Sequence, residues 1–310
     1  METLENILAA AIRSGTPLLF ATLGEIITER SGILNLGLEG LMLIGAIFGF
    51  IAAYTLQNVY LAFILAMVAG ALFSLIHAFV TISLRANQTV SGLALTMLGT
   101  GVSGMIGRNY IGQVAPKFSK IDLPLLSKIP LIGKVFFSHD VLVYVSYILV
   151  AVTSYFLFKT RLGMNLRAVG EEPAAADSAG INVFLTRYLA TIMGGALTAA
   201  GGAYLSLAYT SMWIENMSAG RGWIAIALVI FSMWEPYKAM IGSYLFGGIM
   251  ALQLRLQAEG KINISSNLLM MLPYLTTLIV MIVFSFNEKF RKRVGAPSAL
   301  GIPYSREEKT

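Results

Sequence analysis

Apolar runs of about twenty residues, separated by short polar clusters, organise the chain almost to its end. They fall near 7–27, 33–55, 59–83, 89–107, 141–158, 184–208, 222–234, 239–257 and 267–286. The runs are continuous and rich in Leu, Ile, Ala and Gly rather than alternating, so they predict helices and not strands. Lipid offers no partners to backbone N–H and C=O groups, and only helices or closed barrels satisfy those groups internally. The expected fold is therefore all-α: a polytopic transmembrane helical bundle of about nine spans (eight to ten). The run from Trp223 to Trp234 is short for a crossing. It is expected to be tilted, re-entrant or sunk in the bundle, with its two tryptophans as interfacial anchors. Pro273 is expected to open the backbone of the last span.

Composition sharpens this picture. The 310 residues are 56% hydrophobic and 12% charged, and mean hydropathy is +0.74. A soluble domain carries about 25% charged residues, so lipid must cover much of this surface, and a soluble enzyme is excluded. Basic residues orient the spans. Arg161 and Arg167, and the run Lys289, Arg291, Lys292 and Arg293, mark the cytoplasmic side by the positive-inside rule. Four predicted spans lie between them, which agrees. Counting backward places Glu29, Arg30 and Arg85 inside, the N-terminus outside and the C-terminus in the cytoplasm. The loop 109–139 then lies outside despite Lys117, Lys120, Lys128 and Lys134, with Ile121–Gly133 along the outer interface. Glu2 and Glu5 precede the first run where a secretory signal would be basic, so that run is read as a retained span. Residues 1–294 form the membrane domain, with a cytoplasmic loop at 160–182, and 295–310 are expected to be a mobile cytoplasmic tail.

Several chemistries have no support. Neither Gly133-Lys134 nor Gly260-Lys261 is followed by the Ser or Thr of a P-loop. Gly99, Gly101 and Gly104 spell G-x-G-x-x-G, but inside an apolar span, where glycine serves close helix packing. His77 and His139 lack ligand spacing, and there is no cysteine, so no metal site and no disulfide is expected. Small residues recur at four-residue spacing in Gly195, Ala199 and Ala203 and in Gly194, Thr198 and Gly202, which predicts tight helix crossings.

Polar residues inside apolar runs are costly and draw attention. Asn35 and Glu39 surround glycines at the start of the second span, where a broken helix could line a cavity; the bland alternative pairs Glu39 with Arg30 near the cytoplasmic surface. Asn87, Gln88 and Ser91 open the fourth span, where helix capping accounts for Asn87 or Thr89 alone. Trp213, Asn216 and Arg221 combine aromatic, amide and guanidinium groups suited to a sugar or base, in a loop expected outside. These residues are the substrate-pathway candidates.

The loop 160–182 carries the most distinctive pattern. Pro173 can start a helix and Gly180 can end it, with Glu171 and Glu172 complementing its positive end. Ala174, Ala175 and Ala176 leave this helix without a bulky face. Such a helix builds no core but suits a groove on another protein; an interfacial connector is the plainer reading.

This loop resembles the coupling loop of ABC-importer permeases, whose signature is Glu-Ala-Ala, three residues, then Gly. Ala174, Ala175, Ala176 and Gly180 stand at those positions, with Ala174 in place of the Glu. The stretches 29–40, 86–95 and 220–225 resemble the branch serving nucleosides and simple sugars, and the likeness covers about residues 16–286. The resemblance implies a permease subunit of an ATP-driven importer working by alternating access. It implies two ATPase subunits, a sister permease (a heterodimer, or a homodimer) and a substrate-binding lipoprotein or periplasmic protein. ATP and Mg would be held by the ATPases, with no cofactor on this chain and no nucleic acid involved. Arg167, Gly170, Glu171, Glu172, Ala175, Ala176 and Gly180 become the ATPase-coupling candidates, in a bacterial inner membrane. Ribose, galactose and branched-chain amino acids are alternative cargoes. An ion-coupled secondary transporter is the alternative from another class, disfavoured because Glu25, Glu39 and His77 fall near predicted span ends.

Overall fold

The computed structural model describes residues 2–306 apart from 125, 128, 131, 260–267, 270 and 286–294. Its helices are α1 (Glu2–Arg30), α2 (Leu38–Leu56), α3 (Val59–Ala78), α4 (Gln88–Gly107), α5 (Ile132–Phe136), α6 (Val141–Lys159), α7 (Arg161–Glu171), α8 (Pro173–Ser178), α9 (Val183–Tyr204), α10 (Arg221–Phe231), α11 (Pro236–Glu259) and α12 (Leu272–Ser285). Seven helical stretches among the described residues are long and apolar enough to cross a membrane: 5–30, 38–56, 59–83, 88–110, 141–159, 183–209 and 236–257. The all-α bundle is thus as expected, while the count of nine is not reached. The eighth run, α10, is only 11 residues. The ninth is described only in part, as the 14-residue α12. The basic run at Lys289–Arg293 lies outside the described residues. Pro273 does not open α12: it stands at the second helical residue, where its missing N–H costs nothing.

The central helices are α1, α2 and α9. Their best apolar windows are 72%, 78% and 56% buried, against 22–33% for α3, α4, α6 and α11, so the outer helices keep apolar faces free for lipid or a partner. Small residues set the centre. Any side chain at Gly45 would collide with the Ala199 backbone, at Gly202 with Met42, and at Gly194 with Thr28. The two predicted small-residue ridges of α9 therefore meet different neighbours: Gly194 and Thr198 meet α1, while Gly195 and Ala199 meet α3. Of the G-x-G-x-x-G glycines on α4, Gly99 lies against Gly40, whereas Gly101 has open space around it among the described residues.

One end of the bundle gathers Arg30, the start of α4, the α6–α9 connection and the turn before α11. At the other end lie the start of α1, the end of α2 and the 109–140 segment. That segment holds α5 and a two-stranded antiparallel sheet of β1 (Lys120–Asp122) and β2 (Ser138–Asp140), with Ile121 opposite His139. Lys134 reaches Glu5 of α1 at 4.0 Å. Asp140 caps α6 by accepting from the Leu142 N–H, and it also accepts the Tyr204 hydroxyl.

Candidate coupling elements and a buried polar network

The 160–182 connection folds as two helices. Thr160 caps α7, its hydroxyl oxygen accepting the Gly163 N–H at 3.0 Å. Gly163 lies on the backbone of Phe156 and Leu157, and Gly170 on the backbone of Arg30. Pro173 opens α8 and Gly180 follows it at φ +85°, a conformation that side chains resist. Asn182 then caps α9 by accepting the Leu185 N–H.

The coupling candidates divide into two groups. Ala175, Glu172 and Gly180 are exposed, as are Ala174 and Ser178, so α8 does present a small-sided outer face. Gly170 and Ala176 are buried, and the Arg167 guanidinium stacks 5.2 Å from the Phe158 ring. Gly170 and Ala176 thus pack into the bundle, while Arg167 is partly buried. Glu171 accepts from the backbone N–H and hydroxyl of Ser298.

That last bond reverses an expectation. Over 295–306 the tail is docked rather than mobile. Ala299 N–H donates to Gly170 O at 2.9 Å and Gly301 N–H to Gly32 O at 3.1 Å. Arg306 forms two hydrogen bonds with Asp177 of α8, at 2.9 and 2.7 Å, and the Tyr304 hydroxyl adds a third. Hydrogen bonding to Arg306 holds the Asp177 carboxyl below its usual range. Asp177 is thus ionised at neutral pH, and the pairing is lost only as pH falls through that lowered value.

Arg187 went unnoticed in the sequence, although a lone arginine in an apolar run is itself a signal. Its Nε donates to Ser31 O at 3.2 Å and its Nη1 to Ile302 O at 3.3 Å. It joins α9, the corner between α1 and α2, and the tail.

The segment 31–37 climbs from this corner into the bundle. Asn35 N–H donates to Glu25, and the Asn35 side chain accepts the Gly37 N–H. Leu34 is gripped from both sides, by Gln88 at its N–H (2.7 Å) and by His77 at its O (3.1 Å); His77 also bonds Ser91 at 2.9 Å. Asn87 caps α4 through the Val90 N–H. Asn35, Gln88 and Ser91 are therefore brought together, as a brace on a broken helix.

Glu39 sits deep, not at the surface with Arg30. Ser218 Oγ (2.5 Å) and Gly220 N–H (2.8 Å) donate to its Oε1, and Gly222 N–H (2.7 Å) donates to Oε2. A carboxylate at this helix start offsets the unpaired N–H groups and the positive end of the dipole. Leu38, Ala21 and Ala225 share one cluster, while Val229 and Trp234 pack with Ile26 and Ile27. So α10 runs from the level of Glu39 to the Arg30 end of the bundle, about 16 Å at 1.5 Å per residue, too short to cross a membrane by itself. Trp234 is buried and donates to Glu29 at 2.6 Å, so it is no interfacial anchor. The loop before α10 is not wholly external: Trp213 is buried against Gly107, and the chain then descends to Gly222 beside Glu39. Asn216 is exposed in that loop at φ 59°.

Arg221 opens α10 and is 8% exposed. Its Nη1 donates to Met217 O and Ser218 O, its guanidinium stands 6.0 Å from the Tyr209 ring centre, and its buried Nε has no partner among the described residues. It lines an open cavity of about 310 Å³ with Gln253, Gln257 and Tyr274, and Ile224, Met250 and Leu254 give it apolar walls. A second cavity, about 370 Å³, opens between α3 and α4 at His77, Asn87 and Ser91 and is otherwise apolar.

The bundle thus combines an irregular segment at 31–37, the short helix α10 capped at its start by Glu39, and a paired-helix connection at one end. The fold agrees with a solved structure described as an inward-facing conformation of a metal-chelate type ABC transporter, at a TM-score of 0.52, 13% identity, and coverage of 89% of this chain and 85% of the other. The chain belongs to the family described as branched-chain amino acid transport system, permease component, whose profile matches residues 7–284. It is 37% identical to the nucleoside ABC transporter permease protein NupC of Lactococcus lactis and 36% identical to the guanosine ABC transporter permease protein NupQ of Bacillus subtilis, over 98% of each chain. It is 40% identical to a Haloferax volcanii protein named as a glucose ABC transporter permease, over 97% of this chain and 98% of that one. The protein is an ABC transporter permease embedded in the membrane by several crossings.

Proposed function

We propose that this permease carries a nucleoside or a related simple sugar inward, driven by ATP on partner subunits. The N-terminus lies outside and the C-terminus in the cytoplasm. The chain has nine membrane segments, of which α10 is a half-crossing. A sister permease completes the pathway, a substrate-binding protein delivers cargo from outside, and α8 receives the ATPases, which hold ATP and Mg. The observation that carries the cargo assignment is the buried, partly unpaired Arg221 on the 310 Å³ cavity. A cavity of that size stands at the small end of ligand pockets, which run from about 300 Å³. Guanidinium N–H donors, two amides that both donate and accept, and a tyrosine ring match a neutral cargo rich in hydroxyl and carbonyl groups. Relatives named for nucleoside, guanosine and glucose transport support the same class.

The test is uptake by liposomes holding the complete transporter, with ATP inside. Labelled nucleoside or glucose should accumulate only with ATP and the binding protein, and Arg221→Gln should cut uptake by about tenfold, the effect of losing a charged hydrogen bond of ~1.4 kcal/mol. Accumulation with a catalytically dead ATPase would overturn the mechanism. Accumulation of leucine but of neither nucleoside nor glucose would overturn the cargo.

A further inference from the structure

The docked tail touches four elements at one end of the bundle. Gly301 binds Gly32 at the α1–α2 corner, Ile302 binds Arg187 of α9, Ala299 binds Gly170 at the end of α7, and Tyr304 with Arg306 holds Asp177 of α8. Its anchorage is uneven. Pro297, Ala299 and Ser305 are buried, and the Tyr304 ring lies 5.9 Å from Phe184. The grip on α8 is exposed by comparison: Arg306 is 62% exposed at its side chain. Among the described residues, α8 has no side-chain hydrogen bond to the bundle other than through Asp177; its remaining fixation is the buried Ala176 beside Val169 and Val183, with Tyr304 packed against that cluster.

We propose that residues 297–306 form a transmission strap, which carries displacement of α8 to the α1–α2 corner and to α9 through the Asp177 pairing with Tyr304 and Arg306. The inference rests on the reading of α8 as the ATPase contact. A six-residue helix flanked by Glu172 and Gly180 can tilt on its own ends. The strap makes such a tilt pull on Gly32, which stands near the start of the segment 31–37 that leads to Glu39 and the start of α10. Gly32 has φ +89°, and a side chain there would meet Arg187 and Ala299. The corner, α9 and the strap are therefore packed as one piece. Tyr304 and Arg306 act as positioning residues: they touch no cargo and no nucleotide.

The experiment compares variants of the complete transporter in liposomes, reading complex yield, ATP hydrolysis and cargo moved per ATP. The double variant Tyr304→Phe/Arg306→Ala should assemble at normal yield, because the packed ring is kept and an exposed ion pair adds little to stability. Cargo moved per ATP should fall by about fivefold, the lower end of usual coupling between linked sites. Asp177→Arg alone should fall likewise, and Asp177→Arg combined with Arg306→Asp should recover most of the loss. Normal cargo per ATP in the double variant, or no recovery on charge exchange, overturns the strap. Ala175→Trp, on the outer face of α8, separates the two levels. If it uncouples hydrolysis from transport while the strap variants behave normally, the strap is wrong and the docking site stands. If it too behaves normally, the docking site itself is wrong.

Discussion

Glu39 shows how much one side chain can do once its surroundings are known. In the sequence it is a carboxylate near a span end, with a salt bridge as the ordinary explanation. In the fold it accepts three hydrogen bonds, from Ser218, Gly220 and Gly222. These remove most of the cost of exposing a helix start inside lipid. Glu39→Gln keeps the shape but turns one acceptor into a donor facing an N–H. It is expected to cost roughly 2 kcal/mol, read as a lower melting temperature of the purified protein in detergent; an unchanged melting temperature would refute the capping role. Asn87 was legible from sequence because capping is local: the side chain bonds a backbone group three residues on. Arg187 and Trp234 were not, because their partners stand 115 to 205 positions away.

At the scale of elements, glycine spacing was legible as a tendency to close packing, but not which glycine meets which helix. Gly202→Val and Gly101→Ala separate these. A side chain at Gly202 drives into the Met42 backbone, so overpacking there should cost about 1–3 kcal/mol or more and lower both yield and melting temperature. Gly101 meets nothing among the described residues, and alanine should raise helix propensity at no packing cost. Equal losses from the two would contradict the crossing as described. The same scale explains why α10 was foreseen as short but not placed. Its length excluded a full crossing, whereas its depth depends on α1 and α2 on either side. The tail was misjudged for a related reason. Residues 295–306 carry no long apolar run, and their order comes from groups on α1, α7, α8 and α9 that no local pattern reveals.

For the whole molecule, orientation follows from which ends share a side. Arg30, Arg161, Arg167, Arg187 and Arg306 gather at one end, and Gln57, Asp140 and the start of α1 at the other. Since the chain has no cysteine, single cysteines introduced at Gln57 and at Ser178 report the sidedness without background. A membrane-impermeant thiol reagent applied to intact cells should label Gln57→Cys directly and Ser178→Cys only after the membrane is opened. The reverse pattern would invert the proposed topology and remove α8 from reach of any cytoplasmic ATPase.

The sequence by itself determined that this is a membrane-spanning helical protein, roughly where its helices lie, and that a short helix starts at Pro173 and stops before Gly180. Those features rest on hydrophobicity, charge bias and backbone preferences, each of which acts over a few residues to a single turn or span. The tertiary structure decided the burial of Glu39, the place of α10 between α1 and α2, the cavity beside Arg221 and the docking of the tail. Each depends on groups far apart in the chain meeting where water is scarce, so that an unpaired donor or carboxylate is costly and its partner, wherever it lies in the sequence, settles the geometry.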